Sequence, residues 1–324
     1  MRRVKTAKSS RVVRVGSRIL GLVAVLFAVT VLTFGAMSLI PGDPVTAILG
    51  DRATQETRAA LFIQLGLDRP PVERYFNWLG NALTGDLGKS YKTNEPVIGS
   101  ILQRLPVTIQ VILVSQVMAL LVTVPVAVWS ARRPAKWFDR LGTFGSFLFI
   151  ALPPFVLALL LSYVFSGVLH WFPTAGYRPL TAGVLENFRS IFLPSVTLAA
   201  ASAPVYIRLL RAEMIQTLEQ DFILVARSKG LPTWQILLKH ALRPSAFSLV
   251  TVIALNLGGL IGGALIIEII FGLPGIGRLL YDAISSRDYI VVQGVVAFIA
   301  VTYVLVNFFV DIVYSALDPR VRRG

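Results

Sequence analysis

Gly88-Lys89-Ser90 imitates the end of a phosphate-cradling loop, so phosphate chemistry is the first to test. Such a loop needs its first glycine at position 83, which is Leu83. Acid–base or metal chemistry would need histidines and carboxylates within mutual reach, yet His170 and His240 are the only histidines. No nucleophile elbow or metal-ligand spacing accompanies them, and His240 reads better as an interface or capping residue than as a ligand. The absence of cysteine excludes thiolate and disulfide chemistry. Glu268 and Asp311 are the two acids inside long apolar runs. Glu268 could reach the membrane interface, cap, or pair with a partner chain, and Asp311 most simply pairs with a nearby base. Together they do not form the chain of ionisable groups a proton relay needs. No catalytic residue, metal site or cofactor site is expected in this chain.

What the chain does offer is a polar excursion between two apolar runs, residues 211–246. Gly230 suits the end of one short helix because its φ can be positive, and Pro232 suits the first turn of the next. Two short amphipathic helices are expected. Their apolar face (Ile223, Val225, Trp234, Ile236, Leu237) would be a liability in water unless something soluble covered it.

The elements around this segment are set by composition. Hydrophobic residues make up 55% of 324, charged residues 15%, and mean hydropathy is +0.71. Roughly 20 apolar residues cross a bilayer as helix. Six runs qualify: 19–40, 105–130, 141–169, 191–210, 247–270 and 290–315. The third carries Pro153-Pro154 at its middle and is expected to be one kinked span. The fourth holds Pro194, Ser195, Thr197, Ser202 and Pro204, so it should face protein or a water-filled path rather than lipid. The first is long for a cleaved signal sequence and is taken as a permanent span. An all-α polytopic protein with six membrane helices follows. Its parts are 1–18, a basic N-terminus; 19–40, the first span; 41–104, an external segment; 105–315, a five-helix core that includes 211–246; and 316–324, a tail.

Segments 1–18, 131–140, 211–246 and 316–324 hold 19 Lys/Arg against 5 Asp/Glu; segments 41–104, 170–190 and 271–289 hold 11 against 10. The positive-inside rule makes the first set cytoplasmic, both termini included. The basic residues border spans and form no separate domain, so a pI near 10.5 reports topology and not nucleic-acid binding.

Outside, short helices are expected at 55–67 and 72–83. Tyr75, Phe76, Trp78 and Leu79 form an aromatic set suited to the interface or the mouth of a path. This segment is either a cap that closes the bundle or a docking surface, and the two roles are compatible; the candidate residues of the external docking surface are Asp43, Tyr75, Trp78 and Tyr91 of this segment and Tyr177 of 170–190. Gly258-Gly259 and Gly262-Gly263 let a helix approach closely, within the chain or at a subunit seam.

Motifs along nearly the whole chain carry a resemblance. They are Pro-Gly-Asp-Pro (41–44), Gly-Asp-Leu-Gly-Lys-Ser-Tyr (85–91), Arg-Leu-Pro-Val-Thr (104–108), Ala-Leu-Pro-Pro-Phe (151–155) and Trp-Phe-Pro-Thr-Ala-Gly-Tyr (171–177). Further on come Asp-Phe-Ile-Leu-Val-Ala-Arg-Ser-Lys-Gly-Leu (221–231), His-Ala-Leu-Arg (240–243), Asn-Phe-Phe-Val-Asp (307–311) and Ala-Leu-Asp-Pro-Arg-Val-Arg (316–322). In this order they resemble permease subunits of bacterial binding-protein-dependent ABC importers, in the dipeptide/oligopeptide/nickel branch.

The resemblance implies a type I importer fold in the cytoplasmic membrane. Residues 221–243 then form the loop that couples to a separate ATPase, with Asp221, Phe222, Ala226, Arg227, Lys229, Gly230, Leu231, Trp234 and His240 as its residues. Ala226 and Gly230 keep the small positions of that loop's Glu-Ala-Ala…Gly pattern, while Leu224 and Val225 replace its first two. Ser202, Tyr206, Asn256 and the four glycines are placed on the translocation path or permease interface. The implied partners are a second homologous permease, two ATPase subunits that carry ATP and Mg, an external solute-binding protein and membrane lipid. Short peptides are the expected cargo, with nickel or another small solute as the alternative. A secondary carrier or channel is the alternative from another class.

Overall fold

A computed structural model describes residues 3–39, 44–49 and 53–317. Among these, every regular element is helical, apart from one isolated bridge between Lys89 and Pro96. Five helices are long and apolar enough to cross a membrane, and a sixth crossing exists if one sharply bent pair counts as a single span. The described residues divide into two compact units.

One unit joins the chain up to Arg104 with Leu279–Leu305. It holds α1 (Arg3–Leu39), α2 (Pro44–Leu49), α3 (Gln55–Gln64) and α4 (Pro71–Leu83). Thr54 caps α3 by accepting from the Thr57 N–H at 3.3 Å, and Pro71 opens α4, where its missing N–H costs nothing. Tyr75 and Trp78 were expected on an external docking surface but are buried here. Tyr75 packs edge-on against Phe27 and Phe34 of α1 and shares a 2.9 Å hydrogen bond with Thr30. Trp78 donates to the Leu87 carbonyl at 3.3 Å. Both rings are amphipathic, and an aromatic body with one polar tip is satisfied by a half-polar core as readily as by an interface. Phe76, one position on, is exposed.

The other unit runs from Leu105 to Arg278 and takes in the chain beyond Val306. It contains most of α5 (Val97–Arg132), then α6 (Trp137–Ala151), α7 (Pro154–Leu161), α8 (Val184–Leu218) and α11 (Leu242–Ile270). α8 is the axis, packed by α11, α6 and α7. It is the least hydropathic of the spanning helices, yet 72% of its most apolar window is buried inside the chain. That is why Ser195, Thr197 and Ser202 are tolerated there: Thr197 and Ser202 donate to carbonyls one turn back instead of facing lipid. Small residues (Ala119, Ala127, Ala199, Ala203) form much of one apolar cluster, so helices approach closely.

The expected kink at 153–154 is a sharp break. α6 and the helical run Pro154–Val168 meet at 101°. Leu152 is extended because a following proline disfavours the helical conformation. Each arm is about 22 Å long at 1.5 Å per residue, short of a ~30 Å hydrocarbon core, so neither crosses alone.

Candidate functional site

The 211–246 segment folds as α9 (Asp221–Ser228), then α10 (Thr233–Gln235), which continues through a π-helical turn, Ile236–Ala241, into α11. Its hinge is a Schellman closure. The Leu231 N–H donates to the Ala226 carbonyl at 3.3 Å and the Gly230 N–H to that of Arg227 at 2.9 Å, which requires the residue between to be left-handed. Gly230 has φ +74°. Leu231 then packs against the buried cluster of Ile223, Ala226 and Ile236. Asp221 in the first turn of α9 and Arg227 in the last complement the helix dipole.

The apolar face expected of this segment is therefore divided. Ile223, Ile236 and Leu237 are buried inside the chain, whereas Val225 and Trp234 remain exposed, joined by Phe222, Leu224 and Leu238. Sequence periodicity over two short helices did not separate these sides, because the Schellman turn re-aims α10 relative to α9. Asp221, Arg227, Lys229 and Gly230 are exposed; His240 and Leu231 are half-buried.

A fork ion pair ties the end of α8, just before α9, to the start of α6. Arg211 Nη2 donates to Asp139 Oδ2 at 2.7 Å and its Nε to Oδ1. Asp139 Oδ2 also accepts from the Ala135 N–H at 2.8 Å, holding a non-glycine residue at φ +63°. Neither side chain was singled out from sequence, although both were visible as charges flanking spans.

Higher in the same unit, three of the residues assigned to a path meet. The fully buried Tyr206 donates to Gln116 Oε1 at 2.8 Å and accepts from Asn256 Nδ2 at 2.9 Å. Asn256 also donates to Ser202 Oγ at 3.2 Å. The network stitches α5, α8 and α11 together. Gln116 is the member sequence reasoning missed; an amide inside an otherwise apolar span was its available signal. Gly258 is buried, but Gly259, Gly262 and Gly263 are exposed, and a Cβ at Gly262 would meet nothing within 4 Å.

Glu268 is fully buried. Its carboxylate accepts from Thr108 Oγ1 and from the Gly277 N–H at 2.7 Å, at the start of α12 (Ile276–Ser285). Of the three roles open to it from sequence, it takes capping: a carboxyl oxygen on an orphan N–H group of a helix. Gly275 and Gly277 are required by crowding, since a Cβ at either would collide with the Glu268 carboxylate. Asp311 and Asp43 lie outside the described side chains.

Tyr177, expected on the docking surface, is half-buried and donates to Gln110 Oε1 at 2.9 Å. Gln110 in turn donates to Asn187 at 2.6 Å. Tyr91 is also half-buried, beside Arg74, and burial pushes its phenol pKa up. Ser90, of the phosphate-loop lookalike, is occupied internally: its Oγ accepts from the Lys92 and Thr93 N–H groups and donates to Asp288, which is α13's (Tyr289–Leu317) preceding residue.

These features define a multi-pass helical membrane protein with a structured polar segment between two of its spans. The chain belongs to the family of binding-protein-dependent transport system inner membrane components, whose model matches residues 123–323, with the family's N-terminal model at 12–112. It is 41% identical over 305 residues to a putative peptide transport system permease of Brucella abortus, covering 94% of this chain and 97% of that protein. The glutathione transport system permease of Escherichia coli is 36% identical over 305 residues, 94% and 97% covered. The oligopeptide transport system permease of Bacillus subtilis is 36% identical over 302, 92% and 96% covered. Among solved structures, an inward-facing methionine ABC transporter chain superposes with TM-score 0.55 at 18% identity, covering 69% of this chain and 99% of that one, a likeness of fold.

Proposed function

We propose that this chain is a permease subunit of an ATP-driven importer that brings short peptides across a bacterial cytoplasmic membrane by alternating access. Family membership and relatives named for peptide, oligopeptide and glutathione transport support the class and the cargo. The observation that carries the mechanism is the half-anchored segment 221–241. One side is bonded into its own chain through Ile223, Ala226, Leu231 and Ile236, and the other presents Phe222, Leu224, Val225 and Trp234 outward. A rigid knob with an uncovered apolar face, directly joined to α8 and α11, is what a cytoplasmic ATPase needs in order to push on the membrane helices. The charge asymmetry of the loops supports a cytoplasmic position for it.

ATP and Mg belong to two ATPase partners, and an external binding protein delivers the peptide. A second, homologous permease completes the path, with the exposed flank of Gly259, Gly262 and Gly263 as the contact. Closure by the ATPases moves segment 221–241, and α8 and α11 tilt as one body because the Tyr206 network and the close α8–α11 packing join them.

The test is reconstitution of the complete importer in proteoliposomes with a labelled dipeptide. Accumulation should require the binding protein and ATP, and a cysteine at Trp234 should crosslink to the ATPase. Accumulation driven by a proton gradient without ATPase subunits would overturn the reading. ATP-driven uptake of nickel with no competition by peptides would reassign the cargo.

A further inference from the structure

The unit containing α1 holds a half-open cavity of about 580 Å³ that the transport reading does not use. Phe34, Met37 and Ser38, on the last turns of α1, form one wall. α1 is a membrane-crossing helix only 6% buried, with Val31, Leu32 and Leu39 open to lipid, so the cavity sits at the level of the bilayer interface. Arg69 and Arg74 also line it and supply positive charge. Arg74 lies over the Phe34 ring at 5.8 Å, which sets its planar fork against an aromatic side chain. Arg69 is exposed and loosely paired with Glu73 at 3.6 Å. The lining acid, Asp86, has one carboxylate oxygen taken by the Gly88 N–H at 2.9 Å.

An independent observation points to a missing occupant. Gln293, at the start of α13, lines the same cavity and is only 4% exposed. Its Nε2 has no hydrogen-bond partner. An orphaned amide donor in so buried a place costs roughly 1–3 kcal/mol unless something accepts from it.

We propose that the cavity holds one anionic phospholipid. Its phosphodiester sits between Arg69 and Arg74, where the guanidinium forks match two phosphate oxygens. An ester or glycerol oxygen accepts from Gln293 Nε2 once that amide, closed off from solvent here, turns into the cavity, and an acyl chain runs down the apolar flank of α1 past Met37. The lipid staples α1, α4 and the start of α13. The inference needs only that α1 crosses a membrane, so it stands or falls separately from the cargo and the ATPase.

The test is native mass spectrometry of the delipidated, complete importer titrated with dioleoyl phosphatidylglycerol, phosphatidylethanolamine or phosphatidylcholine. Wild type should retain one phosphatidylglycerol per chain, at least about tenfold more tightly than either zwitterionic lipid, and Arg69→Gln and Gln293→Leu should each weaken that one site by about tenfold. Arg69 is exposed and leucine keeps the volume of Gln293, so both variants should assemble even if Arg74→Gln does not. Equal retention of all three lipids, or unchanged retention in both variants, overturns the proposal. So does displacement by millimolar inorganic phosphate, which would make the site one for a free anion, or by dipeptide, which would make it part of the transport path.

Discussion

Gly230 separates backbone conformation from side-chain space unusually cleanly. Its φ of +74° closes the Schellman turn between α9 and α10, and an added Cβ would meet nothing within 4 Å. Any loss on substitution is therefore a φ penalty: about 1–2 kcal/mol for alanine, more for a β-branched residue, and little for asparagine, which tolerates the left-handed region. A penalty of 2 kcal/mol lowers the population of the closed turn about 30-fold relative to open forms. If the turn is mostly closed to begin with, alanine should be mild and valine severe. Gly230→Asn, Gly230→Ala and Gly230→Val should rank in that order in dipeptide uptake per ATP hydrolysed by the reconstituted importer. Basal binding of peptide to the external protein should not change. An asparagine variant as impaired as valine would refute the reasoning, because the fault would then be occupied space in the assembly and not backbone strain. Full coupling in Gly230→Val would remove the turn from the mechanism altogether.

Asp139→Asn should destabilise the protein by about 3 kcal/mol, since it leaves Arg211 without its anion and turns one acceptor oxygen of the fork into a donor. The double replacement Asp139→Leu/Arg211→Met should recover part of that loss in a thermal melt in detergent; no recovery would mean that the 135 turn, not the pair, is what matters. Tyr206→Phe removes one hydroxyl that serves two amides and should cost about 1–2 kcal/mol. A double-mutant cycle with Gln116→Leu should show coupling, and strict additivity would count against the network. Gly277→Ala should give no folded protein in fluorescence-detected size exclusion, because its Cβ would overlap Leu265 as well as Glu268. Glu268→Gln should fold but melt lower by an amount corresponding to about 1–3 kcal/mol, since its amide either faces the Gly277 N–H, a donor, or takes the acceptor from the Thr108 hydroxyl.

The membrane class, the long apolar runs that become helices and the position of the polar segment were legible in the chain itself, because apolar run length is a local quantity. So was the glycine hinge: a left-handed closure needs one residue type at one place, and Gly230 followed by Pro232 announces it. The weak hydropathy of α8 pointed correctly to a helix packed by protein. What periodicity could not decide was which neighbour each face meets. Tyr75 and Trp78 look alike whether they face a partner or Phe34 of α1, and only the approach of α1 buried them. Glu268 could serve as a cap only after Thr108, 160 positions away, and Gly277 were brought to its two oxygens. Gln116, Tyr206 and Asn256 form one network for the same reason: hydrogen bonds are directional over about 3 Å, and no pattern along a single helix encodes the register of three. The 101° break at Pro153 was foreseeable in position but not in size, since proline removes a hydrogen bond while packing sets the angle.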